Sequence, residues 1–149
     1  MRVETVAAGA VERQVLGRLV VQTRGPGFTE FTEAAAAFVR ESGLRAGLLT
    51  VFCRHTSASV AVQENADPDV RTDLLAALDR LAPRDRAYVH HAEGPDDMPA
   101  HIRAMLTGAG LAVPVVDGRL ALGTWQGLYL AEHRDRPHRR EIVLHLAGA

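Results

Sequence analysis

A chain of 149 residues, 47% hydrophobic and 23% charged, has the length and balance of one folded domain and excludes a disordered chain. Its formal net charge of −1 gives no general attraction to nucleic acid or anionic membranes, and its single cysteine, Cys53, excludes an intramolecular disulfide or a Cys-rich zinc module. All 17 basic residues are Arg, which excludes Schiff-base chemistry and a phosphate-loop lysine and leaves the planar guanidinium as the fixed cation for phosphate or carboxylate.

The first residues, MRVETVAAGAVERQ, carry charges where a secretory signal needs an unbroken apolar run, and no later stretch is long and apolar enough to span a bilayer. A cytoplasmic protein is expected. Residues 11–23 mix β-branched and polar side chains and read as a strand or strand pair, broken by Gly25-Pro26-Gly27. Thr29 or Thr32 caps a helix running through Arg40, and Gly43 ends it. Residues 48–53 (LLTVFC) are the short apolar run of a central strand, and residues 59–63 form a second one. Asp67 as N-cap, Pro68 in the first turn, and Val70, Leu74, Leu75 and Leu78 at helical spacing predict a helix that stops before Pro83.

Residues 88–99 are polar, turn-rich and dense in titratable groups. A short helix over about residues 99–106 follows, capped by Asp96 or Asp97 and ended by Gly108. Residues 111–116, an Asp117-Gly118 turn and residues 119–122 read as a hairpin. Strands over residues 125–132 and 141–146 come last, joined by an arginine-rich loop read as a mostly solvated hairpin connection. The sum is a single α+β domain over residues 1–149, with about seven strands and about three helices.

Three segments concentrate chemistry. Arg54-His55-Thr56-Ser57 lies between two apolar runs, so His55 projects at the rim of a sheet, where sites tend to form. Glu64 closes the next strand beside Asn65, and a carboxylate there needs a cation or a donor if it is buried. Asp67 is already explained as a cap. The stretch from His90 to His101 holds three histidines and the acids Glu93, Asp96 and Asp97. Imidazole and carboxylate are the usual ligands of divalent first-row metals, although the spacing fits no standard zinc pattern. Trp125 and Gln126 sit between two glycines in a strand-like run, where Trp125 reads more readily as a core residue than Gln126 does.

The strings HTSASVAVQENADPDVRTDL, YVHHAEGPDDMPAHI and GRLALGTWQGLYLAEHR, in that order, resemble the YjbQ family of small bacterial and archaeal proteins. The resemblance runs from about Gly27 to the C-terminus and leaves residues 1–10 as an N-terminal extension. It implies an α+β fold with a β-sandwich core, a homotrimer with sites near the subunit interfaces, and a His- and carboxylate-lined pocket for a divalent metal, zinc or magnesium. It carries over His55, Ser57, Glu64, Asn65, Asp67, Asp73, His90, Glu93, Asp96, Asp97, His101, Trp125, Gln126, Glu132 and Arg134, but not His91. One departure stands out: Asp135-Arg136-Pro137-His138-Arg139 occupies the loop where glycines are expected.

The family is commonly labelled a secondary thiamine-phosphate synthase, so the implied activity is displacement of pyrophosphate from a phosphorylated small molecule. In that reading His55, His90 and His101 hold the metal. His55, Glu64, Glu93, Asp97 and Arg134 form the catalytic group, with Arg134 meeting phosphate, and Ser57, Asn65, Trp125 and Gln126 contact substrate. Two alternatives stand beside it: a metal-dependent hydrolase with Glu93 or Glu64 as base, and a non-catalytic metal- or ligand-binding trimer.

Overall fold

Helical and strand periodicities separate in space in the computed structural model, which describes residues 3–6 and 8–149. Strands β1 (Arg13–Gln22) and β2 (Gly27–Glu30) precede helix α1 (Thr32–Ser42). Strands β3 (Gly47–Cys53) and β4 (Ala58–Glu64) lead into α2 (Pro68–Leu81) and α3 (Asp97–Thr107). Then follow β5 (Gly110–Val116), β6 (Arg119–Leu120), β7 (Gln126–Glu132) and β8 (Arg139–Gly148). Part of the expected N-terminal extension, Met1, Arg2 and Ala7, lies outside the described residues.

The strands form two antiparallel sheets, one of five in the order β1-β8-β3-β5-β6 and one of three in the order β2-β7-β4. Alternation decides which side chains meet between them. Leu49, Val51 and Cys53 of β3, Val113 and Val115 of β5, and Ile142, Leu144 and Leu146 of β8 point into one core with Val60 of β4 and Leu128 and Leu130 of β7. Phe31, Ala35 and Val39 complete that core from the α1 side. On the other face of the small sheet, Tyr129 accepts a hydrogen bond from Arg71 of α2 at 3.1 Å. The α+β expectation agrees with this architecture.

Several local expectations change. The segment after Gly25-Pro26 becomes β2, which pairs with the C-terminal end of β7, so Thr29 lies in a strand and caps nothing. Thr32 starts α1 without capping it: its hydroxyl accepts from the Leu128 N–H at 2.9 Å and donates to Glu30 at 2.7 Å, tying helix to sheet. The last two strands form no hairpin, because β7 and β8 belong to different sheets and residues 133–138 cross between them. Trp125 precedes β7 and is 65% exposed rather than packed in the core. The α2 expectation agrees in detail, with Asp67 accepting the Asp69 N–H at 2.9 Å and Pro68 opening the helix. So does the β5–β6 turn, where Asp117 and Gly118 both take positive φ, 52° and 73°, as a two-residue hairpin requires. No described helix is long and apolar enough to cross a membrane.

Candidate functional site

Helix α3 starts at Asp97, two residues earlier than its composition suggests, and this places Asp97 and His101 one turn apart on the same face. The polar segment before it folds back so that His90 Nε2 lies 2.6 Å from Asp97 Oδ2. His101 Nε2 lies 3.5 Å from that same oxygen, and the two imidazoles meet edge to face with centroids 5.4 Å apart. One ligand atom from each of His90, Asp97 and His101 falls within 4.8 Å of the others. Asp97 is buried, His101 is half-buried and His90 is exposed, so the cluster opens to solvent on the His90 side.

Two surrounding contacts fix it. His101 Nδ1 lies 3.1 Å from the Thr56 carbonyl oxygen, in the loop between β3 and β4. A carbonyl only accepts, so Nδ1 carries the proton and the Nε2 lone pair of the neutral ring is left for a ligand. Arg134, just past β7, commits all three nitrogens: Nε to Asp96 at 2.8 Å, Nη1 to Asp97 and Nη2 to the Glu93 carbonyl oxygen at 2.9 Å. Asp96 thus occupies the N-cap position of α3 as expected, but its side chain makes no capping hydrogen bond. Burial alone would raise its pKa, but the Asp135 N–H and the Arg134 guanidinium outweigh burial and hold it below the usual range. Arg134 is an organiser of the acids here, with three of its five N–H donors engaged by them and by the Glu93 carbonyl.

Beneath lies a buried polar network that sequence reasoning placed in a solvated loop. Glu132, His133 and Arg140 are all buried. Arg140 donates through Nε and Nη2 to both Glu132 oxygens, and Nη2 also reaches Ser57 Oγ at 3.1 Å. Glu132 further accepts the Thr23 hydroxyl at 2.8 Å and the backbone N–H groups of His133 and Arg134, each at 3.0 Å. Burial pushes the Glu132 carboxyl up, yet these donors win and hold it below its ordinary value. The pair therefore clamps two loops at once, the one carrying Thr56 and Ser57 and the one carrying Arg134. His133 Nε2 sits 2.8 Å from Ser59 Oγ, which contacts the Thr107 hydroxyl at 2.6 Å. Burial, helped by Arg103, drops the His133 pKa to about 4.

The other residues singled out from the sequence lie elsewhere. His55 stays apart from the His90–His101 pair: its Nε2 accepts the Glu141 backbone N–H at 2.7 Å, at the start of β8. Burial and the nearby Arg140 charge lower its pKa. Ser57 is buried against Arg140. Glu93 is exposed, with its carboxylate 3.9 Å from Arg134. Glu64, Asn65, Trp125 and Gln126 gather at the opposite end of the small sheet, where Glu64 pairs with Gln126 and the Asn65 N–H donates to the Trp125 carbonyl oxygen at 3.0 Å. Ala58 pairs with Glu132 at the near end, so the length of β4, roughly 20 Å at strand rise, separates the two groups within one chain. A cavity of about 710 Å3 touches the far group only at Asn65 and is otherwise lined from β1, β2 and the start of α1, Gln22, Glu30 and Thr32 among them.

The chain matches the family model described as UPF0047 protein YjbQ-like over residues 18–149. A UPF0047 protein of Synechocystis sp. is 51% identical over 144 residues, covering 96% of this chain and 98% of that one. The UPF0047 protein YugU of Bacillus subtilis is 38% identical, covering 80% and 88%. Among solved structures, a conserved hypothetical protein of Thermus thermophilus superposes with a TM-score of 0.76 at 41% identity, over 85% of this chain and 97% of that one. A YbjQ-like protein of unknown function from Sulfolobus solfataricus shares the fold, with a TM-score of 0.82 at 21% identity over 92% and 100%. The chain belongs to the family of YjbQ-like UPF0047 proteins.

Proposed function

We propose that the protein is a divalent-cation-dependent enzyme acting on a phosphorylated small molecule, with His90, Asp97 and His101 as the cation's ligands. The observation that carries this reading is the convergence of those three side chains within 4.8 Å, with the His101 tautomer set by the Thr56 carbonyl. Two imidazoles and one carboxylate suit zinc, and three protein ligands leave a position for water or substrate. A cation held by all three takes the place of the proton shared by His90 and Asp97. Arg134 then holds Asp97 and Asp96 in register, and the Glu132–Arg140 pair holds the loops that supply Thr56 and Arg134. A bound divalent cation supplies Lewis-acid stabilisation of charge on a leaving or attacked oxygen.

Thiamine-phosphate formation is the first reaction to test: a thiazole nitrogen displaces pyrophosphate from the hydroxymethylpyrimidine carbon. The purified protein, with zinc or magnesium, is assayed for thiamine phosphate and, separately, for inorganic phosphate released from phosphomonoesters. Product that disappears in Asp97→Asn and His101→Ala, with the fold intact, supports the reading. Tight zinc retention with neither product sinks catalysis and leaves the binding protein. Phosphate release without thiamine phosphate identifies the hydrolase.

The same reading takes the working unit as a homotrimer. Leu16, Leu48 and Phe52 are more than 45% exposed on strands of the five-stranded sheet, a cost that contact with a second copy relieves. The separation of the His90 group from the Glu64–Gln126 group also favours sites shared between subunits. Light scattering that returns a monomer mass at micromolar concentration sinks this part.

A further inference from the structure

Beside His90, the turn-rich segment between α2 and α3 borders an open cavity of about 220 Å3. Arg84, Arg86, Tyr88, His90 and His91 contribute to its walls, and Met98 adds apolar lining. No carboxylate lines it, although the chain carries 18 acids to 17 arginines. Arg84 is held in place, with Nη1 donating to Asp135 at 2.6 Å while the Asp135 N–H donates to Asp96 at 3.0 Å. One wall of the cavity is thereby tied to the same acids that Arg134 organises. Arg86 pairs with no carboxylate among the described residues. Of the two arginines in its walls, Arg84 is paired with Asp135, whereas Arg86 brings a guanidinium that no internal acid neutralises.

We infer that this cavity is an oxyanion subsite in which Arg84 and Arg86 bind the phosphate or carboxylate group of a ligand whose neighbouring part reaches His90. The planar guanidinium fork suits such a group, through paired N–H donors that an ammonium lacks. Size agrees: about 220 Å3 lies below the roughly 300–1,000 Å3 of a whole small-molecule pocket, so the space takes a head group and not a complete cofactor. The inference deepens the function proposed above and assigns the anion to Arg86, which no acid neutralises, with Arg84 beside it, rather than to Arg134, which is tied to Asp96 and Asp97. It rests on that function only for the identity of the reaction beside it.

The test is calorimetric titration of the full-length protein with inorganic phosphate, and separately with acetate, at low salt in the presence of a chelator. Working without metal keeps this outcome independent of the cation centre, which is checked by a separate zinc titration. Wild type binds one of the two anions, and Arg86→Gln raises the Kd tenfold or more with zinc affinity and melting temperature unchanged. Arg86→Lys, which keeps charge but loses the fork, falls between them. Heat with phosphate and none with acetate assigns phosphomonoesters, whereas the converse assigns carboxylates. Wild-type protein that binds neither anion, or an Arg86→Gln Kd equal to wild type, overturns the subsite even if zinc binds. Failure to bind zinc overturns the cation centre and leaves the anion result standing.

Discussion

The Nδ1 of His101 and the carbonyl oxygen of Thr56, 45 positions apart in the chain, are joined by a hydrogen bond of 3.1 Å. That bond orients the imidazole from the side opposite Asp97, so the ring's other nitrogen faces the acid and His90. A ligating histidine held this way is ready before any cation arrives.

Zinc affinity is therefore expected to depend on three side chains and not on His55. His90→Ala, His101→Ala and Asp97→Asn each weaken zinc by two orders of magnitude or more, whereas His55→Ala leaves it within a factor of about three. Arg134→Gln, which loosens Asp97 without removing a ligand, costs on the order of 10–100-fold. Competition against a chromophoric chelator measures all five. Equal losses in His55→Ala and His101→Ala would restore the three-histidine arrangement expected from the sequence alone.

Arg140 carries the largest single stability effect expected in the polar interior. Arg140→Met leaves the Glu132 carboxylate buried without its cation, a change that costs about 3–5 kcal/mol. Removing both charges in the Arg140→Met/Glu132→Met double variant costs less than the single one, since no uncompensated charge remains. Urea denaturation of the two variants checks the order. A double variant less stable than Arg140→Met means that the pair does more than neutralise itself.

His133 gives the stability a predictable pH slope. Its folded pKa, about 4, lies below the ordinary 6.5, so above pH 6.5 the ring is neutral folded or unfolded and contributes no slope. As pH falls from 6.5 toward 4, the unfolded chain takes up a proton that the folded chain refuses, and stability is lost. The full shift corresponds to about 3 kcal/mol. Glu132, whose pKa is lowered, adds to the loss only below its ordinary value of 4.5. His133→Gln, which keeps a polar partner for Ser59 but does not titrate, is expected to flatten the curve between those limits. Denaturation midpoints at half-unit pH steps decide it, and an unchanged slope in His133→Gln refutes the assignment.

What the sequence made legible follows the range of each interaction. Asp67-Pro68 announced α2 because a cap and a first-turn proline act within one turn, and Asp117-Gly118 announced the β5–β6 turn for the same reason. Asp96 was half legible: it does stand at the N-cap position, but its Oδ2 accepts from Arg134, 38 positions away, and not from the helix. The clustering of His90, Asp97 and His101 in one stretch was visible, since a turn and one helical repeat bring them together. His55 could not be excluded locally, because its partner is a backbone N–H on β8, 86 positions on. The buried role of Glu132 and Arg140 was hidden in a run of charges that reads as solvated until the chain's crossing between sheets is known. Arg140 at the edge of an apolar strand was the one available signal.

Gly47 and Gly148 face each other across β3 and β8, and each is glycine for want of room. A Cβ on Gly47 would collide with the Ala147 carbonyl oxygen and lie 2.9 Å from the Gly148 Cα. One on Gly148 would collide with the Ala46 carbonyl oxygen and lie 2.8 Å from the Gly47 Cα. These are backbone atoms of a paired strand, so no rotamer change relieves the clash and the strands must separate locally. Gly47→Ala or Gly148→Ala is expected to cost about 1–3 kcal/mol. At roughly 2–4 °C per kcal/mol for a domain of this size, the melting temperature falls by several degrees. A Cβ on Gly27 would meet nothing within 4 Å, so Gly27→Ala serves as the control and is expected to melt with the wild type. Calorimetry of the three variants separates steric need from mere backbone freedom: equal melting of Gly47→Ala and Gly27→Ala would mean that β3 and β8 part at this point without cost.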